Sequence, residues 1–301
     1  MNMKKRIFAV LTATAIAAMM TGCGSSNNSA DGSQTYGGAS DLGMITVVSR
    51  EDGSGTRGAF IELMGIEQKD ADGNKTDMTT VDAMITNKTD VMLSTIAGDP
   101  AAIGYVSLGS LNDKVVKALQ IDGAEATAEN VKNGTYKVSR PFNIATKGEP
   151  TGVAKDFINY ILSADGQKVV SEDYISISDD AAAFETDGSS GKIVVGGSSS
   201  VYPLMEKLAE GYEAINAAAE VEVQSSDSTA GMSGAADGTF DIGMASRALK
   251  DEEAAELTGT VIANDGIAVI VNNENAITGL TSEQVQKIYT GEITDWSEIA
   301  E

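Results

Sequence analysis

Short apolar runs alternate with amphipathic stretches along most of the chain, and clusters of small polar residues separate the two. Residues 44–49 (MITVVS) read as a strand, followed by the turn REDGSGTRG and a helical stretch at 59–64. Residues 192–195 (KIVV) lead into GGSSSVYP and then into 204–215, where Leu204, Leu208, Tyr212 and Ile215 keep helical spacing. Residues 221–223 lead into QSSDSTAGMSGAADG, and 241–244 into ASRALKDEEAAEL, whose acidic residues suit the start of a helix. The same patterns predict helices over 79–87, 153–162, 166–171 and 282–289, and strands over 103–107, 115–120, 142–146 and 267–271. Strands alternating with helices predict an α/β architecture with mainly parallel sheets. The polar break at 179–191 is a candidate linker between two halves.

The first residues follow a different pattern. Lys4, Lys5 and Arg6 precede an apolar stretch at 7–20, too short to span a bilayer, so 1–22 reads as an export signal. The stretch ends Met20-Thr21-Gly22-Cys23, which resembles the lipobox of bacterial lipoproteins with Met20 in place of the usual Leu. Cleavage before Cys23 would leave its thiol to carry a diacylglycerol. Residues 23–41 are polar and Gly/Ser-rich, a flexible tether. About 20 such residues reach roughly 25 Å. The expectation is an extracytoplasmic protein on the outer face of the cell membrane, held only by the lipid on Cys23.

Composition narrows the function. Of 301 residues, 21 are Lys or Arg and 44 are Asp or Glu, for a formal charge of −23. Counterion-driven nucleic-acid binding needs basic surface, which excludes nucleic acid as a partner. There is no histidine and only one cysteine. A Ser-His-Asp triad, His-ligated zinc or haem, and disulfides are therefore excluded. At 42% hydrophobic and 22% charged residues, the chain is that of a folded protein, long enough for two domains.

The segment 53–58 (GSGTRG) matches G-x-G-x-x-G between a strand and a helix. A dinucleotide site also needs an acidic residue closing the next strand, and the hydrophilic EQKDADGNKTD stands there instead. The segment 188–193 (GSSGKI) has neither the spacing nor the final Ser/Thr of a phosphate-binding P-loop. Anion capture remains. Small residues at a helix start expose several backbone N–H groups, and Ser and Thr hydroxyls add neutral donors. Such turns occur at 52–57, 196–201, 227–231 and 245–247, with Arg50, Arg57 and Arg247 nearby. Any one of them is ordinary helix capping; four in one chain point to a site where helix ends converge.

The blocks SREDGSGTRGAF, GGSSSVYPLMEKL, DSTAGM, DIGMASR, NDGIAVIVN, LTSEQVQKIYTGEITDW, AIGYVSLG and KVSRPFNIATKG together resemble the phosphate-binding proteins of bacterial phosphate ABC transporters, the PstS family. They cover nearly all of the chain after the tether. The resemblance implies a two-lobe type II periplasmic-binding-protein fold that closes on inorganic phosphate. It further implies no cofactor, no metal, no enzymatic activity, a monomer, and an ABC permease as partner. Another oxyanion, sulfate or molybdate, or a phosphate-sensing role are the alternatives. The block order departs from the family's usual one, because the DGSGTR half precedes the GSSSVYP half. The chain therefore resembles a circular permutant, with one lobe from 42–138 plus 267–301 and a contiguous lobe at 139–266.

Carried over residue by residue, Ser54, Gly55 and Thr56 match the family's phosphate-binding turn, and Arg50 matches its cleft arginine. Ser199, Ser200 and Val201 fall in the first-strand turn, where a hydroxyl and a backbone N–H would meet the ligand. Ser228 matches a further serine. Ser246, beside Arg247, stands where many members carry an Asp that accepts the phosphate proton. Asp52, Asp227 and Asp265 are the available replacements for that Asp. Arg57 would contact ligand or brace the turn, and Arg140 reads as a hinge or structural residue.

Overall fold

The computed structural model describes residues 42–71 and 74–299. The export signal, Cys23 and the tether lie outside the described residues. All described residues belong to one compact unit.

From the first described residues the chain forms β1 (Thr46–Arg50), α1 (Gly55–Leu63), the antiparallel pair β2 (Glu67–Lys69) and β3 (Lys75–Asp77), and β4 (Met84–Thr86). Next come α2 (Thr89–Gly98), β5 (Ala102–Ser107), β6 (Val116–Ala118), β7 (Gln120–Ile121), α3 (Ala128–Lys132) and β8 (Ser139–Thr146). Two helices follow, α4 (Gly152–Leu162) and α5 (Ala164–Asp173), before β9 (Gly191–Ser198), α6 (Tyr202–Ile215), β10 (Ala219–Ser226) and α7 (Ser228–Asp237). The chain closes with β11 (Ile242–Ala245), α8 (Asp251–Ala254), β12 (Thr258–Asn272), β13 (Gly279–Leu280) and α9 (Ser282–Thr290). Local chemistry fixes many boundaries. Asp227 caps α7, and Gly238, in the left-handed region at φ 83°, ends it. Thr281 and Gln284 form a capping box on α9.

One sheet runs β10-β9-β11-β8-β12-β5-β1-β4, with β6 on β12. Its two parts repeat one order, β10-β9-β11-β8-β12 and β4-β1-β5-β12-β6. In each part three strands are parallel and the fourth runs against them. The long β12 serves both, because Thr258–Gly266 pairs β8 whereas Ile267–Val271 pairs β5. Burial follows the same partition. One apolar core is drawn from residues between Phe142 and Ala263. The other combines residues from Leu42 to Val138 with residues from Ile267 to Ile299. Both changes of core fall where β8 and β12 pair Arg140 with Asp265.

The α/β expectation holds, although the main sheet is mixed rather than mainly parallel, since β12 runs antiparallel to β5, β6 and β8, and most expected elements form. Two do not. Residues 79–87 carry Val81, Met84 and Ile85 at helical spacing, yet Met84–Thr86 is the strand β4 and those three side chains are exposed. The helix comes later, as α2, whose Thr, Val and Ile content weakens its helical signal. The stretch 245–257 forms only the single turn α8. The segment 179–190 has no regular structure, but it is fastened to α4. The buried Asp156 carboxylate accepts from Thr186 Oγ1 (2.7 Å), the Asp187 amide (3.1 Å) and Tyr212 Oη (2.9 Å).

Candidate functional site

In open α/β sheets, ligands bind beyond the carboxyl ends of the parallel strands. Here β1 ends at Arg50, β4 at Thr86, β9 at Ser198, β10 at Ser226 and β11 at Ala245. The residues just past those ends are Ser54–Thr56, Thr89, Ser199–Ser200, Ser228 and Ser246. Ser54 caps α1, Thr89 opens α2, Val201 caps α6 and Ser228 opens α7. Four helices of nine to fourteen residues thus point their N-termini, with their partial positive charge, at one place.

The side chains there touch one another across the two cores. Thr56 Oγ1 lies 2.9 Å from Ser200 Oγ and 3.5 Å from Ser246 Oγ. Thr89 Oγ1 lies 3.3 Å from Ser199 Oγ and 3.5 Å from Ser200 Oγ. Ser228 Oγ accepts from the Ser246 amide at 3.1 Å. Arg50, buried with these hydroxyls, donates from Nη2 to Ser199 Oγ at 3.1 Å. Its Nε and Nη2 also hold the two Glu51 carboxylate oxygens at 2.8 Å, a forked geometry that fixes the guanidinium plane. The Arg50 amide donates to Tyr105 Oη at 3.1 Å, and Ser49 Oγ bonds the same phenol. Burial raises the Tyr105 phenol to about 12, so it stays protonated. Phe60 of α1 stacks on the Tyr105 ring, with centroids 4.0 Å apart, which locks α1 against β5.

Two glycines let the cores meet. A Cβ on Gly53 would sit 2.4 Å from Asp227 Oδ1, and one on Gly55 would sit 2.4 Å from Ser228 Oγ and 2.9 Å from Ser246 Oγ. The Thr229 amide donates to Gly53 O at 3.2 Å, a backbone bond across the cleft.

Arg50, Gly55, Thr56, Ser199, Ser200, Ser228 and Ser246 are therefore gathered, while Ser54 caps α1 beside them with its Oγ accepting from the Arg57 amide. Three other charged groups point elsewhere. Arg57 donates to Arg50 O and Asp52 Oδ1 at 2.7 Å and to Asp77 Oδ2 at 2.9 Å, so it braces the turn. Burial alone would raise the Asp77 pKa, but Thr79 and Arg57 together hold it below the ordinary value. Asp52 is almost fully exposed, with its carboxylate on Arg57. Arg247 is forked onto Glu253 at 2.6 and 2.7 Å and 11% exposed, so its guanidinium is turned away while its Cγ lies 3.1 Å from where a Cβ on Gly55 would sit. The Val201 amide, expected to face a ligand, donates instead to Ser198 O at 3.0 Å. Thr89 is the site residue that sequence reasoning misses, because periodicity puts its helix ten residues too early; a Thr directly after a strand end is the available signal.

Asp265 and Arg140 sit at the seam between the cores, both buried. Arg140 Nη2 donates to Asp265 Oδ2 at 3.2 Å, and Ser107 Oγ to Asp265 Oδ1 at 3.0 Å. Burial pushes the Asp265 carboxyl up to about 6, against the pull of Arg140 and Ser107. Among the described residues, Arg140 Nε and Nη1 find no hydrogen-bond partner. The described residues also contain no group of three or more His, Cys, Asp or Glu placed to hold a metal ion.

A family model described as a PBP superfamily domain matches residues 5–165 and 182–301. Phosphate-binding protein PstS 2 of Streptococcus agalactiae serotype V is 54% identical over 265 residues, covering 87% of this chain and 90% of the relative. The crystal structure of a phosphate ABC transporter phosphate-binding protein from Streptococcus pneumoniae TIGR4 superposes with a TM-score of 0.68 at 44% identity. It covers 86% of this chain and all of that one. Phosphate-binding protein PstS of Bacillus subtilis is 38% identical over 137 residues, 45% of this chain and 42% of the relative.

Proposed function

The chain belongs to the PstS family of phosphate-binding proteins within the PBP superfamily, with its two-lobe type II fold, and from that premise we propose that it captures inorganic phosphate for an ABC permease. The convergence of Arg50, six buried hydroxyls and four helix N-termini on one point between two cores carries this reading. Oriented amides and hydroxyls replace the ion's hydration shell as the lobes close, and a charge-assisted bond from Arg50 contributes about 1.5–3 kcal/mol. These donors act at short range in a buried place. The −23 exterior is screened beyond about 8–10 Å at ordinary salt and acts on solubility instead. Binding without turnover is the reading in keeping with relatives named as phosphate-binding proteins.

We assign one lobe to 42–138 plus 267–301 and the other to 139–266, in keeping with the two apolar cores. The crossings at 139–142 and 264–267 are then the hinge. The block order is read as circularly permuted. Two observations support this: the PstS 2 relative aligns over 90% of its length, whereas the Bacillus subtilis PstS aligns over less than half. The segment 179–191 then joins what are termini in the other order. We further infer that a lipid on Cys23 holds the protein, as a monomer, at the outer face of the cell membrane. Among the described residues no helix is long and apolar enough to cross a membrane. Isothermal titration of the purified protein tests the reading: phosphate should bind at one site per chain with heat that Thr56→Asp abolishes. A chain that gives no phosphate heat would end it.

A further inference from the structure

Five carboxylates around the site, those of Glu51, Asp52, Asp227, Glu253 and Asp265, are engaged outside the hydroxyl cluster. Glu51 is forked onto Arg50, and Asp52 is on Arg57 in solvent. Asp227 caps the Ala230 amide at 2.8 Å, with its carboxylate against Gly53. Glu253 holds Arg247, and Asp265 is spent on Ser107 and Arg140. What remains at the meeting point is Thr56, Thr89, Ser199, Ser200, Ser228 and Ser246, joined by oxygen–oxygen contacts of 2.9–3.5 Å, together with Arg50.

The distinction is chemical. An ionised carboxylate only accepts hydrogen bonds, so it suits an anion that brings a proton and repels one that does not. A hydroxyl donates or accepts by rotating about its C–O bond. Phosphate near neutrality brings a proton; sulfate, with the same tetrahedral shape and similar charge, brings none. A carboxylate acceptor would oppose sulfate with an unpaired, like-charged contact, whereas each hydroxyl here turns to donate to the oxygen it meets. Arg50 donates to either anion.

We propose that this site takes tetrahedral oxyanions irrespective of their protonation, so that sulfate occupies it as well as phosphate. The proposal rests on the phosphate reading and extends it to a ligand class. The hydroxyl at Ser246, buried and bonded to Ser228, is its specificity-determining position: a carboxylate there would restore an obligate acceptor.

Isothermal titration of the intact protein with sodium phosphate and then sodium sulfate at one pH, in an oxyanion-free buffer, tests it. Sulfate should bind within about 100-fold of phosphate, less than the separation a buried carboxylate acceptor would impose. Phosphate should displace it, and Thr56→Asp should remove both. In Ser246→Asp, sulfate heat should fall by more than about tenfold relative to phosphate. If phosphate binds and sulfate gives no heat at about a thousandfold excess over the phosphate Kd, the inference fails while the phosphate reading stands. If sulfate binding survives Thr56→Asp, it lies elsewhere and the inference also fails. Absence of phosphate binding overturns both. The wild-type titrations decide the matter even if Ser246→Asp does not fold.

Discussion

Thr56 and Ser200 stand 144 positions apart, yet their hydroxyl oxygens lie 2.9 Å from each other. Thr56 belongs to the helix that β1 feeds, and Ser200 to the turn that β9 feeds, so the contact joins the two cores at the point where their helices begin. Substitutions here should act on affinity, while those deep in either core act on stability.

Arg50 supplies the cluster's guanidinium and is itself held by Glu51. Arg50→Ala removes a charge-assisted donor worth about 1.5–3 kcal/mol, and phosphate affinity should fall roughly 10- to 150-fold. Titration calorimetry reads the loss. Arg57→Ala should act differently. Its guanidinium braces the turn through Asp52 and Asp77, so the melting temperature should drop with a smaller change in affinity. Equal effects from the two variants would contradict the assigned roles.

Gly55 is the first residue of α1, where alanine would favour the helix by up to about 1 kcal/mol. The fold of that half should therefore tolerate Gly55→Ala. The approach of the halves should not, since the new Cβ would lie 2.4 Å from Ser228 Oγ. Phosphate affinity should fall by more than about tenfold while the melting temperature stays within a few degrees. Unchanged affinity would mean that the site does not need this close approach.

Much of this is legible in the sequence because strand, small-residue turn and helix follow one another in order. The turns at 52–57, 196–201 and 227–231 stand out by their Gly, Ser and Thr content alone. Placement of the charges does not. In SREDGSGTRG only the family resemblance singles out Arg50 as a cleft arginine and Arg57 stays open between ligand and brace, and packing shows that one faces Ser199 while the other turns back to Arg50 O. The same holds for Arg247, whose partner Glu253 lies in a stretch with helical character that forms a single turn. Thr89 escapes notice because Val81, Met84 and Ile85 keep helical spacing while lying exposed around an edge strand. Periodicity reports amphipathic spacing, and a β-branched helix such as α2 signals weakly by comparison.

Asp156 is buried and holds the segment before β9 through Thr186 and the Asp187 amide, besides Tyr212. Asp156→Ala leaves the Tyr212 hydroxyl and the Asp187 amide without this acceptor. The protein should lose roughly 2–5 kcal/mol of stability by urea denaturation. Limited proteolysis should cut sooner within 179–190, while phosphate affinity stays near wild type because the anchor is remote from the hydroxyl cluster. Intact resistance to protease in the variant would show that Phe184, packed on Tyr160 and Tyr212, holds the segment without the carboxylate.

Asp265 makes stability depend on pH in a direction opposite to that of an ordinary salt-bridged aspartate. Burial raises its carboxyl from 3.8 to about 6 despite Arg140 and Ser107. Between those two values the folded state holds a proton that the unfolded chain has released, so stability falls as pH rises through this window. Above the folded pKa the penalty is complete; below the unfolded value it is gone. A shift of about two units corresponds to at most about 3 kcal/mol. Urea melts of wild type and Asp265→Asn at pH 4, 5 and 7.5 isolate the effect, because the other carboxylates titrate alike in both proteins. Asp265→Asn keeps this position neutral at every pH, as the protonated carboxyl does, so at pH 7.5 it should escape the wild-type penalty and be at least as stable as wild type. Wild type should gain stability relative to the variant on acidification, as only wild type gains a proton at this position. Wild type losing stability relative to the variant toward pH 4 would show that Arg140 holds the carboxyl below its ordinary value and that the seam is a conventional ion pair.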